Sequence, residues 1–422
     1  MTVKCTPSEI SGTIRAISSK SDAHRILICA ALSKKATKIY CNVMSKDIAA
    51  TCSCLKSMGA DVSVNGDFIT VTPKEFNKKT EIDCNESGST LRFLMPVVSA
   101  LEIDTTIKGS GRLPQRPISP LKEEMEKKGV TFHSGNVFPL HLTGKLQSGE
   151  YEIKGNISSQ FITGLLFALP LLEGDSKINL IPPVESKSYL QITISVLRKF
   201  GIEIEEQENT YIIKGNQKYL SPEEISVEGD WSNASFFLCA GALSENGVTV
   251  TDLQVNSPQG DKKILEVLSS MGADVKISGN EITVKKNKLN GITVDASDIP
   301  DAVPVISVVA SACSGDTKII NAQRLRIKES DRIKSVVEML TSVGGNVTET
   351  DDGMIIHGGA TLKGGVVNGY NDHRIVMSAS ILSSLCNEDV VITDSNAVEK
   401  SYPDFFSDFN KMGGNSDVLN DR

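Results

Sequence analysis

No apolar run in this 422-residue chain reaches the ~18 residues that a membrane span needs. Its first residues, Met1-Thr2-Val3-Lys4-Cys5, lack the apolar stretch of a secretory leader. Basic charge is not in excess: 44 Lys and Arg stand against 52 Asp and Glu, a net of −8, which argues against a general nucleic-acid binder. Paired metal ligands are missing too. The nine cysteines are scattered, and Cys52 and Cys54, two apart, fall on different sides of a helix with no second Cys or His pair nearby. Zinc ligation is therefore not expected, and reduced thiols in a cytoplasmic protein are. There is no Gly-x-x-x-x-Gly-Lys-Ser/Thr loop for ATP hydrolysis and no Ser-His-Asp arrangement with elbow glycines. What remains is an ordinary globular composition, 40% apolar and 23% charged. The length suits two or three domains of about 150 residues each and needs no disulfide or metal staple.

The chain repeats itself. Leu55-Lys-Ser-Met-Gly59-Ala-Asp-Val-Ser-Val is echoed by Leu268-Ser-Ser-Met-Gly272-Ala-Asp-Val-Lys-Ile, and both continue through a turn into Ile-Thr-Val. Weaker copies run from Met125 to Gly129, Leu197 to Gly201, Leu340 to Gly344 and Phe409 to Gly413. Each is an amphipathic helical stretch, a glycine, an alternating strand, a polar turn and a second strand. The glycines 59, 129, 201, 272, 344 and 413 are spaced by 70, 72, 71, 72 and 69 residues. Glycine is the expected helix C-cap, and Asp61-Val-Ser-Val-Asn65-Gly66 predicts a hairpin around Asn65-Gly66. Six units suggest two sets of three. Only nine residues follow Gly413, so the sixth unit lacks room for its hairpin. The segment Val3 to Ser19 is expected to supply the missing strands. One domain is then residues 20–227, and the other is discontinuous, 1–19 with 228–422, with a hinge at the two crossings. An open solenoid is the rival architecture.

Polar clusters precede apolar helical runs at Ser19-Lys20-Ser21, Ser87-Gly88-Ser89-Thr90, Ser158-Ser159-Gln160, Asp230-Trp231-Ser232-Asn233 and Asn371-Asp372. Capping alone accounts for any single cluster. A helix start, however, also offers free N–H groups and a positive dipole end to an anion. Here the caps come with cations: Lys20, Arg25, Arg92, Arg116, Lys328, Arg332, Arg374 and Lys400. An acidic protein that stations cations at helix starts is expected to bind a small polyanion. Asp301 and Glu329 sit among them as candidate proton carriers, with an N-cap and an ion pair as their plainer readings. His373 lies in the densest cluster, and Trp231 reads as packing.

In order, Ser19-Lys-Ser-Asp-Ala-His-Arg25, Ser87-Gly-Ser-Thr-Leu-Arg92, Leu113-Pro-Gln-Arg-Pro117, Ser158-Ser-Gln160, Ser186-Lys-Ser-Tyr189, Pro300-Asp301, Lys328-Glu-Ser-Asp-Arg332, Asn371-Asp-His-Arg374 and Lys400-Ser-Tyr-Pro-Asp404 form a set. With it the chain resembles the 5-enolpyruvylshikimate-3-phosphate synthase family across nearly its whole length. The resemblance implies an α/β (α+β) fold: two similar domains, each of three βαβαββ units (an inside-out α/β barrel), with an interdomain cleft that closes on substrate. It implies transfer of the enolpyruvyl group of phosphoenolpyruvate to the 5-hydroxyl of shikimate 3-phosphate, by addition and elimination through a tetrahedral intermediate. No metal or organic cofactor is implied, and the family's usual form is a monomer.

Carried over by motif, shikimate 3-phosphate is expected at Lys20, Ser21, Arg25, Ser158, Ser159, Gln160, Ser186, Asp301 and Lys328. Phosphoenolpyruvate is expected at Lys20, Gly88, Arg92, Arg116, Gln160, Arg332, Arg374 and Lys400. Tyr189 and His373 match positions lining the same cleft. Asp301 is the expected base for the 5-hydroxyl, and Glu329 the expected carrier of the methylene proton, assisted by Lys328 and Lys20. The two substrates together carry about −5 to −6 charges, from two phosphates at −1.5 to −2 each and two carboxylates, against the eight cations. Departures from the family pattern are Glu86, Ser89, Ser188 and Arg324. Glu86 is expected to need a cation such as Arg116 or Arg324. Retained Gly88 leans toward glyphosate sensitivity. The alternatives are a UDP-N-acetylglucosamine enolpyruvyl transferase, disfavoured because residues 109–120 contain no cysteine, and a non-catalytic scaffold that binds phosphorylated ligands.

Overall fold

The alternation read between residues 61 and 71 becomes a hairpin of Asp61–Asn65 and Phe68–Thr72. Asn65 pairs with Phe68 across a tight turn in which Gly66 takes φ +56°. The helices before such hairpins end at the six repeat glycines, all with positive φ, from +74° at Gly201 to +122° at Gly59. In that region a Cβ is costly, which explains why glycine recurs at this one point.

The structure, a computed structural model, describes residues 1–419. These residues divide into two compact units, one of 1–19 with 228–419 and one of 20–227. Among the described residues the strands form six four-stranded sheets of one design. Each has a parallel pair with an antiparallel hairpin continuing from its second strand; in four of them a helix bridges the pair, and in the sheets of Gly12–Arg15 and Glu224–Ser226 the parallel partner comes from far along the chain. Glu150–Lys154 and Ser176–Ile181, parallel in register Glu150↔Lys177, show the first half. Thr210–Ile213 and Ile204–Gln207 complete that sheet. The match between repeat and sheet gives the βαβαββ unit.

The chain start does two separate things. Strand Thr2–Thr6 sits between Val390–Ile392 and Asn415–Leu419, pairing antiparallel with both. The sixth unit therefore builds one hairpin strand itself after Gly413 and borrows only the other. Strand Gly12–Arg15 joins a different sheet, parallel to Val248–Thr251. The expectation that residues 3–19 complete the sixth unit alone is corrected on this point. Near the crossing, Ser18 and Gly229 form an antiparallel bridge, and Ser19 N donates to Glu228 O at 2.7 Å.

Within each unit the helices fall into two kinds. Gly88–Ala100, Ser159–Ala168, Trp231–Leu243, Val303–Ser311 and His373–Leu382 are buried almost all round. A helix that is apolar on every side belongs in an interior. Lys46–Met58, Lys187–Lys199 and Arg332–Ser342 bury one face only. Strands such as Glu150–Lys154 and Asp316–Ile320 alternate buried and exposed residues. The sheets therefore lie outside and the first helix of each repeat inside. Close approach of the inner helices is set by Gly164, where a Cβ would run into the Arg92 carbonyl and lie 3.0 Å from Pro96 Cγ.

Candidate functional site

In the unit of residues 20–227, the starts of several helices are tied together by side chains. Arg92, on the first turn of Gly88–Ala100, donates to Gln160 Oε1 at 2.6 Å and to Pro117 O at 2.9 Å. Gln160, at the start of Ser159–Ala168, donates back to Ser89 Oγ at 2.9 Å. Ser87 and Ser158 cap these two helices, accepting from Thr90 N and Gln160 N. Gly88 is the contact point for two guanidinium groups. A Cβ there would lie 2.8 Å from Arg116 Nη1 and 2.9 Å from Arg92 Nη1.

Arg25 is buried and joins two other helices of this unit. It donates to Thr193 Oγ1 at 2.8 Å and Tyr189 O at 3.1 Å, and also to Ser21 O. Its guanidinium lies 5.0 Å from the Phe93 ring centroid. Burial pulls its pKa down to about 10, so it stays charged. Lys20 pairs with Asp47 at 2.9 Å. Ser186 is buried and holds a left-handed backbone, φ +53°, just before Lys187–Lys199. Glu86 folds its carboxyl onto Gly111, where a Cβ would come within 2.5 Å of it.

The other unit holds a network of opposite charges. Arg332, 1% exposed, donates to Asp301 Oδ1 at 2.7 Å, to Glu329 Oε2 at 2.8 Å and to both oxygens of Asp372, at 2.8 and 3.2 Å. Burial works against its charge, but Asp372, Glu329 and Asp301 outweigh burial and raise its pKa. Asp301 is also approached by Lys328 at 3.4 Å and by Arg374 at 3.6 Å. Burial lowers the Lys328 pKa, and Arg332 and Arg324 push the same way against the pull of Asp301. Arg374 donates to Ser232 O at 3.1 Å, so the starts of Trp231–Leu243, Val303–Ser311 and His373–Leu382 meet here.

Nearly every letter of Lys328-Glu-Ser-Asp-Arg332 has a partner. Ser330 donates to Asp372 at 2.9 Å, and Asp331 caps Arg332–Ser342 while pairing with Arg326 at 3.2 Å. Asp372 caps its own helix through Arg374 N at 2.9 Å. Lys400 is buried and donates to Asn371 O at 2.6 Å. His373 is buried with Nδ1 3.8 Å from Asp372 Oδ1. Two plainer readings are thereby decided. Asp301 is no N-cap, since Ala302 holds that place, and Glu329 is ion-paired with Arg332.

Sequence reasoning overlooked the counter-charges. Asp47 and Thr193 carry no motif signal. Asp372 reads as a cap and nothing more. Asp261, buried in the short 3-10 turn Gly260–Lys263 and bonded to Ser232, carries no motif signal either. Burial first, then Asp301, pushes its carboxyl up to about 7, with Arg374 and a hydrogen bond from Ser232 opposing.

Among the described residues no helix is long and apolar enough to cross a membrane. The profile of a family described as EPSP synthase (3-phosphoshikimate 1-carboxyvinyltransferase) matches residues 5–409. A 3-phosphoshikimate 1-carboxyvinyltransferase of Clostridium novyi is 45% identical, covering 98% of this chain and 97% of that one. The solved EPSP synthase of Acinetobacter baumannii superposes with TM-score 0.82 at 24% identity, covering 99% of this chain and 100% of that one. The enolpyruvyl transferase NikO of Streptomyces tendae has the same fold, with TM-score 0.81 at 18% identity, covering 99% of this chain and 98% of that one. Both superpositions speak to the fold alone.

Proposed function

The chain belongs to the EPSP synthase family, and from that premise we propose how its residues divide the work of enolpyruvyl transfer. The protein is a transferase of the shikimate pathway and moves the enolpyruvyl group of phosphoenolpyruvate to shikimate 3-phosphate, releasing phosphate. The observation that carries the division is Asp301 held among Lys328, Arg332 and Arg374, with Glu329 on the same arginine.

Shikimate 3-phosphate is assigned to Lys20, Ser21, Arg25, Ser158, Ser159, Gln160, Ser186, Asp301 and Lys328. Phosphoenolpyruvate is assigned to Lys20, Gly88, Arg92, Arg116, Gln160, Arg332, Arg374 and Lys400. At least four carboxylates, Asp47, Asp301, Glu329 and Asp372, already face four of the eight cations. The remaining formal excess does not cover about −5 to −6 of substrate charge. Helix-start amides and dipoles at Gly88, Ser159 and Lys187 supply the rest.

In the ligand-free form Asp301 is ion-paired with Lys328, Arg332 and Arg374. Incoming phosphate and carboxylate groups compete for Lys328 and Arg374 and leave Asp301 to receive the 5-hydroxyl. Asp301 then takes the hydroxyl proton while the oxygen bonds to C2 of phosphoenolpyruvate. Glu329, recharged with a proton from the ammonium of Lys328 or Lys20, delivers it to the methylene carbon. Elimination reverses the second transfer: the methyl proton returns through Glu329 to the lysine, the bond from C2 to the phosphate oxygen breaks, and Asp301 passes the hydroxyl proton to the departing phosphate, with no cofactor in the sequence of steps. We place the enzyme in the cytoplasm as a monomer, a reading that nine free buried thiols suit.

Phosphate release in a coupled assay tests the substrate. Turnover with shikimate 3-phosphate and none with UDP-N-acetylglucosamine is expected; the reverse overturns the reading, and binding without turnover favours the scaffold. Asp301→Asn and Glu329→Gln are each expected to bind both substrates and to lose roughly 10²–10⁴ in kcat. Near-parental turnover overturns the proton roles.

A further inference from the structure

We propose that His24 is a positioning residue for the phosphoenolpyruvate end of the site, fixing Ser87 and the helix start at Gly88 through a directed chain of hydroxyls. This rests on the reading that Gly88, Arg92 and Arg116 hold phosphoenolpyruvate.

Four polar side chains from neighbouring helices form the chain inside one unit, and His24, Thr51, Thr90 and Ser87 are all 0% exposed. His24 Nδ1 lies 2.7 Å from Thr51 Oγ1, Thr51 Oγ1 lies 2.7 Å from Thr90 Oγ1, and Thr90 Oγ1 donates to Ser87 Oγ at 2.8 Å. Buried polar groups are costly where apolar ones would serve, so such a chain calls for a reason. Its direction follows from counting protons. Thr90 gives its proton to Ser87, so its oxygen accepts from Thr51. Thr51 has then spent its own proton and accepts from His24. The imidazole must carry hydrogen on Nδ1.

The other nitrogen agrees. His24 Nε2 meets no hydrogen-bond partner among the described residues, so no acceptor stands there to hold a proton on that nitrogen. The Phe93 ring stands edge-on at 6.4 Å between centroids. Burial first, then the charges of Lys20 and Arg25, lower the His24 pKa well below its ordinary value and keep the ring neutral.

At the far end, Ser87 Oγ accepts both Thr90 Oγ1 and Thr90 N, the latter at 3.2 Å. Two donors fix its rotamer, and that rotamer is the cap of Gly88–Ala100. The amides of Gly88 and Ser89, which the helix cannot satisfy itself, are thereby held at one orientation. So is the turn that carries Arg92. Removing a link lets Ser87 rotate and loosens the anion end of this helix.

Thr51→Val keeps the shape and deletes the relay, while Thr51→Ser keeps the hydroxyl. Thr51→Val is expected to raise KM for phosphoenolpyruvate by about threefold to tenfold, the value of one hydrogen bond. The kcat and the Kd of shikimate 3-phosphate should stay near parental, and Thr51→Ser should restore KM. In ¹⁵N-histidine spectra of the parental enzyme, His24 should show hydrogen on Nδ1 and no titration between pH 6 and 8 (roughly, around the ordinary imidazole value). Equal behaviour of the two Thr51 variants, a lower Tm with unchanged KM, or hydrogen on Nε2 would each overturn the proposal. Arg116→Ala isolates the premise. An unchanged phosphoenolpyruvate KM there removes the subsite and the proposal with it. A raised KM there beside an unchanged one in Thr51→Val overturns the role of His24 alone.

Discussion

Replacing Gly88 by alanine should separate binding from stability. The added Cβ would lie 2.8 Å from Arg116 Nη1, 3.1 Å from Arg116 Cζ and 2.9 Å from Arg92 Nη1. Ordinary contact begins near ~3.4 Å, so something must retreat by ~0.6 Å. Arg92 is held by Gln160 at 2.6 Å and Pro117 O at 2.9 Å. One of the two guanidinium groups, at the far end of a flexible side chain, must move. A hydrogen bond to a charged ligand group contributes about 1.5–3 kcal/mol, and each 1.4 kcal/mol is tenfold in affinity. Partial retreat of one guanidinium should then raise KM for phosphoenolpyruvate about tenfold. Meanwhile Gly88 begins a helix and has no left-handed φ, so alanine costs no backbone strain and adds up to about 1 kcal/mol of stability. Steady-state phosphate release at saturating shikimate 3-phosphate, beside thermal unfolding, reads both effects. A clear fall in Tm with phosphoenolpyruvate KM unchanged would refute the reasoning, because the clash would then lie in the fold and not in the anion site.

Arg332→Met should destabilise its unit by about 3–5 kcal/mol, since it leaves Asp301, Glu329 and Asp372 without their shared cation; urea unfolding measures it. Asp261→Asn should change the pH dependence of stability. A carboxyl raised from 3.8 to about 7 in the folded state binds more protons folded than unfolded, so the parental enzyme loses stability as pH climbs through that window. The variant should lack this loss and gain on the parent by a few kcal/mol at pH 8 but not at pH 4, as unfolding free energies at the two values would show. Gly164→Ala should cost about 1–3 kcal/mol by overpacking two inner helices, read as a lower Tm.

The repeat was legible because one conformation recurs: a helix end needing positive φ leaves glycine as its mark every ~70 residues. Hairpins were legible for a similar reason, since alternation and turn chemistry are local. Sheet membership was not. Nothing in Gly12–Arg15 says that it will lie beside Val248–Thr251 rather than beside the strand Thr2–Thr6 that precedes it. Pairing across ~235 residues is settled by packing, and short strands carry no address. The site shows the same division. Helix caps at Ser87, Ser158 and Asp372 are local chemistry and read from the chain. The pairing of Arg332 with Asp372, forty residues away, is not, nor is Asp301 as the partner of Lys328 and Arg374. Glu86 adds a contact that charge arithmetic does not foresee: its carboxyl lies against Gly111, which only a missing Cβ permits.

Resident carboxylates change what the cation set means. Lys328, Arg332 and Arg374 gathered at three helix starts would repel one another and the helix dipoles, and an empty site of that kind would strain its own unit. Asp301, Glu329 and Asp372 remove that strain, but not equally. Asp372 is fully buried, takes two bonds from Arg332 and one from Ser330, and caps a helix. No ligand can displace it without unwinding that cap. Asp301 and Glu329 are about a fifth exposed, and Asp301 also leans on Lys328 and Arg374 beyond the buried Arg332. The three acids thus split by burial: one is a sealed counter-ion, and two stay within reach of solvent. The proton roles proposed above fall on those two. A carboxylate that neutralises the empty site is, on the proposed reading, the group left to meet the hydroxyl when the substrate's own charge takes over its cations.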